Sequence, residues 1–325
     1  MTSRKVGLMD RTIGDTPIAI LDFETTGLNA GVDRVVEVSV VRIEPEQKPE
    51  LVLDTLVNPE RRMAATDIHG ITEQDVADAP RFGEIAGNLV RGLYDCVIAA
   101  YNVYFDIGFL EYELAKAGLR YSPPYLCLMY MRPMIGLGNR CSLDDACRFH
   151  CIEYSKKHQA SADALAGARL WNLYLQAIKD HKIRTYKELA TLKSYKFIQS
   201  FERNPLAPPA ADTLKSTKRL KSRRIPVEVE TPPQILSRQD ARHSYWEALK
   251  TVISDLDLTG EEISYLSKKR EELGLATEDV RSIHARAFAD LISQSIEDRV
   301  LDENETQTLR RLYLCLSKLG WAPGQ

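Results

Sequence analysis

The order of apolar and polar positions predicts strands first and helices afterwards. An apolar run over residues 18–21 indicates a buried strand, which leads directly into Asp22 and Glu24. Residues 34–43 and 51–57 are rich in β-branched side chains and mostly alternate in polarity, which is typical of strands. Because short turns separate these three segments, we expect an antiparallel meander.

From residue 72 onwards, helical patterns alternate with short apolar runs. Thr72 has the character of a helix N-cap, because the acids Glu73 and Asp75 follow it. Strand 96–100 and helices 82–94, 105–117, 143–150 and 160–178 are predicted, and segment 125–130 is apolar but fits either type. Strands followed by alternating strands and helices predict a layered α/β domain.

The composition changes between residues 203 and 234. This stretch is rich in proline and poor in large apolar residues, which indicates a flexible linker. Its basic residues crowd into ten positions: Lys215, Lys218, Arg219, Lys221, Arg223 and Arg224. Two interpretations stay open, a solvated spacer and an electrostatic tether to phosphate groups.

Residues 235–325 are predicted to be all helical, with a weak internal repeat. Residues 255–266 match residues 298–309 at an offset of 43 positions. The first copy opens like an EF-hand loop, but Leu266 stands where a calcium site needs a bidentate glutamate. We therefore expect its acids to stabilise helix starts. The segment loosely resembles TerB-like helical modules, and we expect it to be a partner-binding or regulatory unit.

Length and composition limit the classes of protein that fit. The chain has 325 residues and a formal net charge of −3, which suggests roughly two globular domains and no general basic surface. Residues 1–17 are polar, and no apolar run is long enough for a membrane span, so we expect a cytoplasmic protein.

The six cysteines lack a CxxC pair and are expected to be reduced thiols. Cys147, His150 and Cys151 allow zinc as an alternative, but no second ligand pair with standard spacing accompanies them. A short amphipathic helix with cysteine at core positions is the favoured interpretation.

Acidic residues occur at three unusual places. Side chains alternate along a strand, so Asp22 and Glu24 share one face while Phe23 points to the other. Two neighbouring carboxylates repel each other, and a divalent cation relieves the repulsion. Asp106 follows a predicted strand and Asp163 lies early in a small-residue helix, where each could simply stabilise a helix N-terminus. An Asp-x-Glu sequence is expected by chance about once in a chain of this length. The residues around Asp22 and Glu24 therefore decide whether the pair is significant.

Three motifs occur in a fixed order: D-x-E-T-T-G from Asp22, N-x-x-F-D-x-x-F-L from Asn102, and H-x-x-x-x-D-A from His158. Together they resemble the DEDDh family of 3′–5′ exonucleases. The likeness is to its DnaQ-type branch, which includes the proofreading epsilon subunits of bacterial DNA polymerase III, with RNase T and oligoribonuclease as relatives. The likeness covers residues 17–180, and within that range the segment 68–72 is a further point of likeness. The resemblance implies an RNase H-like fold, a central mixed sheet flanked by helices.

The resemblance also implies a site for two Mg²⁺ or Mn²⁺ ions. Four carboxylates would hold them, and Asp22 would bridge both ions. The implied ligands are Asp22, Glu24, Asp106 and Asp163. His158 would be the general base, because it precedes Asp163 by five positions, whereas the tyrosine subclass has Tyr four before its Asp.

Substrate contacts are implied by the same motifs. The 3′-terminal nucleotide would meet Thr25, Thr26, Gly27, Leu28, His69, Ile71, Tyr101, Asn102 and Phe105. One departure concerns Tyr101, which stands where many DnaQ-type members have histidine. Tyrosine can stack on a base or donate a hydrogen bond, so we expect activity to survive.

The sequence thus predicts an α/β exonuclease with a small all-α C-terminal domain. Its parts are a tail (1–16), the exonuclease domain (17–180), a helical extension (181–202), a linker (203–234) and the helical domain (235–325). The expected reaction is 3′–5′ hydrolysis of DNA, single-stranded or frayed, to nucleoside 5′-monophosphates in a proofreading or repair-like role. The alternatives are an exoribonuclease and a non-catalytic nucleic-acid-binding scaffold.

Overall fold

A mixed sheet of five strands organises the first of two structural units. The computed structural model describes residues 7–63, 65–154, 159–193, 195–203, 238–253, 255–295 and 303–323. Within them, the first unit comprises residues 7–26 and 33–203, and the second comprises residues 27–32 and 238–323. The strands are β1 (Ile18–Thr25), β2 (Val35–Ile43), β3 (Glu50–Leu56), β4 (Val97–Ala100) and β5 (Tyr125–Cys127).

The sheet order is β3-β2-β1-β4-β5. β1 pairs antiparallel with β2, and β2 pairs antiparallel with β3, which confirms the predicted meander. β4 runs parallel to β1, and β5 runs parallel to β4. The central position of β1 explains its apolar start, since Ile18, Ala19, Ile20 and Leu21 are each at most 1% exposed.

Helices cover both faces of this sheet. Those of the first unit are α1 (Thr66–His69), α2 (Glu73–Val76), α3 (Phe82–Gly92), α4 (Val103–Lys116), α5 (Leu128–Met134), α6 (Leu143–Phe149), α7 (Ala160–Asp180), α8 (Tyr186–Leu192) and α9 (Lys196–Arg203). The predicted cap at Thr72 is present as a capping box with Asp75. The predicted α/β class, a central mixed sheet flanked by helices, is confirmed.

Two predicted elements differ from the observed ones. The apolar segment 125–130 divides into β5 and the start of α5 at Leu128. Helix α4 begins at Val103, two residues before the predicted start at Phe105. β5 passes directly into α5, and only Tyr101 and Asn102 separate β4 from α4, so the sequence pattern does not mark either boundary sharply.

Opposite faces of β1 meet different helices. Phe23 lies 6.4 Å from Phe82 of α3, measured between ring centroids. On the other face, a Cβ added to Gly167 of α7 would lie 3.0 Å from the Cγ2 of Ile20. Glycine at this position therefore lets α7 approach β1 closely. Because Ile20, Asp22 and Glu24 share a face, α7 packs on the face that carries the two acids.

The second unit contains α10 (Arg238–Ile253), α11 (Gly260–Glu272), α12 (Thr277–Ser295) and α13 (Glu303–Lys318). Its buried side chains include Trp246, Leu249, Leu266 and Leu316. Thr259 caps α11 through a capping box with Glu262, which is the helix-starting role expected of the first repeat. The second repeat begins at residue 298, and residues 296–302 lie outside the described parts of the chain.

Several sequence-based boundaries stay predictions. Residues 204–237, which hold nearly all of the predicted linker, lie outside the described residues. Of the predicted tail, residues 7–16 are described. Ile13 is 1% exposed, and its backbone N–H donates to the carbonyl of Arg184 at 2.8 Å. Among the described helices, none has the length and apolar character needed to cross a membrane.

Candidate active site

Strand β1 presents Asp22 and Glu24 on one face near its C-terminal end. Both acids lie inside the strand, opposite Ser39 and Glu37 of β2. A β-bulge follows between Glu24 and Thr25, where the pairing register with β2 shifts. Bulges are frequent next to active sites because they redirect a side chain or end the pairing.

Helix α7 brings a third carboxylate to this pair. Asp163 lies in the first turn of α7, and one oxygen each from Asp22, Glu24 and Asp163 lies within 4.8 Å of the others. The three residues are partly exposed, so an ion could reach them. Carboxylate oxygens are the ligands that Mg²⁺ and similar hard cations prefer. This acidic cluster (Asp22, Glu24 and Asp163) could therefore hold a metal ion.

Helix α4 supplies the fourth predicted carboxylate. Asp106 is 5% exposed, and its Oδ1 accepts a hydrogen bond of 3.2 Å from the backbone N–H of Phe23. This bond joins the first turn of α4 to the strand between Asp22 and Glu24. The parallel pairing of β1 with β4 explains the proximity, since α4 begins directly after β4.

The acids act on each other electrostatically. Burial raises the pKa of Asp22 well above its usual range, and the charges of Asp163, Asp106, Glu24 and Glu37 raise it further. Each cause penalises the ionised form of Asp22. A cation in the cluster would reverse that penalty, so the residues fit a divalent metal in both ligand type and charge.

Glu37 is a member of this environment that the sequence-based prediction missed. It is fully buried on β2, directly opposite Glu24, and its Oε2 accepts a hydrogen bond of 3.1 Å from the backbone N–H of Ala160. The bond fastens the start of α7, three residues before Asp163. An acid among the β-branched residues of the predicted strand 34–43 was the available signal.

Tyr154 is the second contact that was missed. Its hydroxyl donates a hydrogen bond of 2.6 Å to Oδ1 of Asp163. Burial raises the pKa of Tyr154 well above its usual range, and the charge of Asp163 raises it further. No motif points to this residue. His158, the predicted base, lies outside the described residues, as do residues 155–157.

The threonines after the acids lie in a buried turn. Thr25 is 6% exposed and Thr26 is 2% exposed. The Thr26 hydroxyl donates to Asp33 at 2.9 Å and accepts from the backbone N–H of Arg34 at 3.1 Å. Gly27 and Leu28 follow and are partly exposed. A substrate contact to these four residues stays a prediction.

The predicted opposite wall is mostly buried. His69 is 4% exposed, and its Nδ1 accepts a hydrogen bond of 3.0 Å from the backbone N–H of Ile71. Ile71 is 0% exposed and packs in a cluster with Val36, Leu56 and Val76. In this structure Ile71 therefore has no exposed surface that a substrate could contact.

The residues around the second motif have different surroundings. The Tyr101 hydroxyl donates to the carbonyl of Cys141 at 2.9 Å. A nucleobase that accepted a hydrogen bond from Tyr101 would have to replace this carbonyl. Among the described residues, Oδ1 of Asn102 is buried without a hydrogen-bond partner. Phe105 packs against Phe109 with ring centroids 4.9 Å apart. Their predicted substrate contacts also stay predictions.

The zinc alternative gains no support from the described residues. Cys147 is 1% exposed, and burial raises the pKa of its thiol to about 12, which opposes the thiolate that zinc needs. Cys151 is exposed, and His150 lies against Arg132, at 3.4 Å from Nη1 to Nε2. The favoured amphipathic helix corresponds to α6 (Leu143–Phe149).

Comparison with known proteins agrees with the motifs. Residues 19–171 match the family model described as Exonuclease. A PolC-type DNA polymerase III of Thermotoga maritima is 29% identical over 190 residues, which is 57% of this chain and 14% of the relative. An epsilon-like DNA polymerase III subunit of Rhodobacter capsulatus is 30% identical over 194 residues, or 56% of this chain and 28% of the relative.

A 3′–5′ exonuclease DinG of Staphylococcus epidermidis is 24% identical over 188 residues, or 54% of this chain and 20% of the relative. The chain thus spans less than a third of the length of each of these relatives. Among solved structures, E. coli Exonuclease I with a dT13 oligonucleotide shares 19% identity at a TM-score of 0.46, covering 54% of this chain and 46% of its own, which is too distant to add to the assignment.

The family match spans all four acids, which the structure brings to the face and end of β1. The relatives include DNA polymerase III proteins and a 3′–5′ exonuclease, as the three motifs predict. Residues 19–171 therefore match the Exonuclease domain family, and their similarity to DNA polymerase III proteins and to a 3′–5′ exonuclease is consistent with the DnaQ-type DEDDh family.

Proposed function

We propose that this protein is a metal-dependent 3′–5′ exonuclease that removes nucleotides from the 3′ end of DNA. The proposed substrate is single-stranded or frayed DNA, the products are nucleoside 5′-monophosphates, and the role is proofreading or repair-like. The polymerase relatives favour DNA over RNA. One observation carries the proposal: in an Exonuclease-family domain, three carboxylates converge within 4.8 Å and a fourth acid lies beside them.

The proposed metal ligands are Asp22, Glu24, Asp106 and Asp163. These residues would hold two Mg²⁺ or Mn²⁺ ions, whose chemistry when bound would be to activate the attacking water and to support the leaving 3′-oxygen. The chain's own contribution is to hold four carboxylates in place before substrate arrives. The bond from Phe23 N–H to Asp106 and the bond from Ala160 N–H to Glu37 serve that purpose.

His158 is proposed to take the proton of the attacking water, because its unperturbed pKa of about 6.5 suits a base at neutral pH. Thr25, Thr26 and the turn at Gly27 are proposed to hold the 3′-terminal nucleotide. Leu28 is proposed to wedge against the bases.

The test is a digestion of 5′-labelled single-stranded DNA, duplex DNA and RNA side by side with Mn²⁺. We expect a ladder of products shortened from the 3′ end of single-stranded DNA, no products in EDTA, and none from Asp163→Asn. Faster digestion of RNA would identify an exoribonuclease instead. Equal digestion by Asp163→Asn would overturn the assignment, and binding without digestion by the wild-type protein would identify a scaffold.

A second variant tests the base. His158→Ala should slow hydrolysis by about 10²-fold or more, because a positioned general base contributes at least that factor. Mn²⁺ affinity should not change, because His158 is not among the proposed ligands. The exposed His181 provides the control, and His181→Ala should keep full activity. Unchanged turnover of His158→Ala would remove its role as base.

Two further parts of the proposal concern the whole protein. The helical C-terminal unit is proposed to bind a protein partner or to regulate the exonuclease domain. The protein is proposed to work in the cytoplasm, where its six free cysteines would stay reduced.

A further inference from the structure

Tyr154 touches the acidic cluster from the segment that precedes α7. Its hydroxyl oxygen lies 2.6 Å from Oδ1 of Asp163, nine positions further along the chain. The side chain is partly buried. No motif that points to the exonuclease site includes this tyrosine.

The contact has the chemistry of a charge-assisted hydrogen bond. The Tyr154 hydroxyl donates and the Asp163 carboxylate oxygen accepts, as it would in an aspartate that binds a metal. Bonds of the type O–H···O⁻ are short, at about 2.5–2.7 Å, and about twice as strong as neutral ones. The observed length of 2.6 Å falls in that range.

Such a bond is compatible with a metal on the same carboxylate. An ionised aspartate has about four lone-pair sites, so one hydrogen bond leaves others for an ion. Without the bond, the carboxylate could rotate about its χ2 torsion, which is a broad and weakly restrained rotation for aspartate. Groups that hydrogen-bond a metal ligand orient it, and their removal typically weakens metal binding by about 10–100-fold.

Tyr154 also lies at a useful place in the chain. It precedes His158 by four positions and Asp163 by nine. The bond from Tyr154 to Asp163 fastens residue 154 to the first turn of α7. Glu37 holds the same helix start from the sheet side, through Ala160.

We propose that Tyr154 is a positioning residue whose hydroxyl holds the Asp163 carboxylate towards Asp22 and Glu24 for metal binding. This inference rests on the proposed metal site. It adds a residue to that site that neither the family match nor the motifs assign.

The test is Mn²⁺ titration calorimetry on the full-length protein and four variants. Tyr154→Phe keeps the ring and removes one oxygen, and it should weaken Mn²⁺ binding by about 10-fold. Tyr121→Phe is the matched control, because Tyr121 is buried and its hydroxyl has no hydrogen-bond partner among the described residues. It should bind Mn²⁺ like the wild type.

The remaining variants, Asp163→Asn and the double variant with Tyr154→Phe, separate positioning from general packing. If Tyr154 acts through Asp163, removing its hydroxyl should have little further effect once the carboxylate is gone. The proposal would be overturned if Tyr154→Phe lowered the Mn²⁺ affinity equally in the wild-type protein and in the Asp163→Asn variant. The Mn²⁺-induced rise in melting temperature provides a second measurement that does not depend on equal stability of the variants.

The outcomes distinguish the two levels of inference. If the wild type binds no Mn²⁺, or Asp163→Asn binds as tightly, the metal site itself fails. If Asp163→Asn weakens binding and Tyr154→Phe does not, only the role of Tyr154 fails. Loss of the folded state in Tyr154→Phe would assign the hydroxyl to the fold and would also overturn the positioning role.

Discussion

At the scale of the residue, the site is defined by carboxylates that oppose each other's ionisation. Asp22 shows this conflict, because burial and the charges of Asp163, Asp106, Glu24 and Glu37 all raise its pKa. Folding without a cation therefore places an acid where its charged form is unfavourable. This is a local loss of stability that metal binding would recover.

The conflict predicts how stability depends on pH. The pKa of Asp22 is higher in the folded than in the unfolded protein, so the folded state binds more protons between the two values. The contribution of Asp22 to the free energy of unfolding in EDTA should therefore fall as the pH rises from about 4 through the raised pKa. Asp22→Asn should reduce this fall and stabilise the metal-free protein at pH 7 by on the order of 1 kcal/mol.

Urea unfolding in EDTA at several pH values measures this effect. Asp78→Asn is the control, because Asp78 is exposed, and its stability profile should follow the wild type. Addition of Mn²⁺ should stabilise the wild type more than Asp22→Asn. The same pH dependence of stability in the wild type and in Asp22→Asn would contradict the prediction.

At the scale of the element, the helices that carry the acids are fastened to the sheet by buried polar bonds. α7 is held through Glu37 and Ala160, as described above. α4, which carries Asp106, is held by Arg34, whose Nε and Nη2 donate to the two carboxylate oxygens of Glu113 at 2.7 and 2.9 Å. Both partners are buried, at 7% and 1% exposure, so this bidentate pair joins α4 to the chain entering β2.

Removing one partner of this pair should be costly. Glu113→Ala leaves the Arg34 guanidinium buried without its carboxylate, and we expect a loss of about 3–5 kcal/mol in the free energy of unfolding. Glu111→Ala is the control on the same helix, because Glu111 is exposed, and it should change stability by less than about 0.5 kcal/mol. Equal midpoints of urea unfolding for both variants would show that the pair does not hold α4.

At the scale of the whole molecule, the chain combines an exonuclease domain with a separate helical unit. The four acids and the sheet belong to the first unit, and α10–α13 belong to the second. Between them lie residues 204–237, outside the described residues. This stretch contains the six basic residues clustered at 215–224, which stand out in a chain of net charge −3.

The two interpretations of this basic segment predict different salt dependence. If it contacts phosphates, deleting residues 215–224 should weaken nucleic-acid binding and flatten the plot of log K against log salt concentration. Replacing its six Lys and Arg residues by Gln keeps the length and should have the same effect. If only the deletion weakens binding, or if all slopes agree, the segment is a plain spacer. Fluorescence anisotropy at several salt concentrations measures the slopes.

Much of the fold followed from local patterns. The meander, the cap at Thr72 and helix α7 could be predicted because each depends on periodicity or capping within a few residues. The segment 125–130 could not be assigned, because a fully buried strand and a fully buried helix look alike in a short apolar run. The four acids were found through the order of three motifs, while their roles as ligands stay proposals.

Short-range spacing and motif order are enough to predict which elements form and which acids could act together. How closely the acids approach, and which bonds hold them, depends on how distant parts of the chain pack. Glu37 meets Ala160 across 123 positions, and Phe23 meets Asp106 across 83. Such contacts depend on sheet register and helix packing, which no local pattern encodes. The contact of Tyr154 could not be predicted for the same reason, because it depends on where the hydroxyl lies and not on the neighbouring residues in the chain.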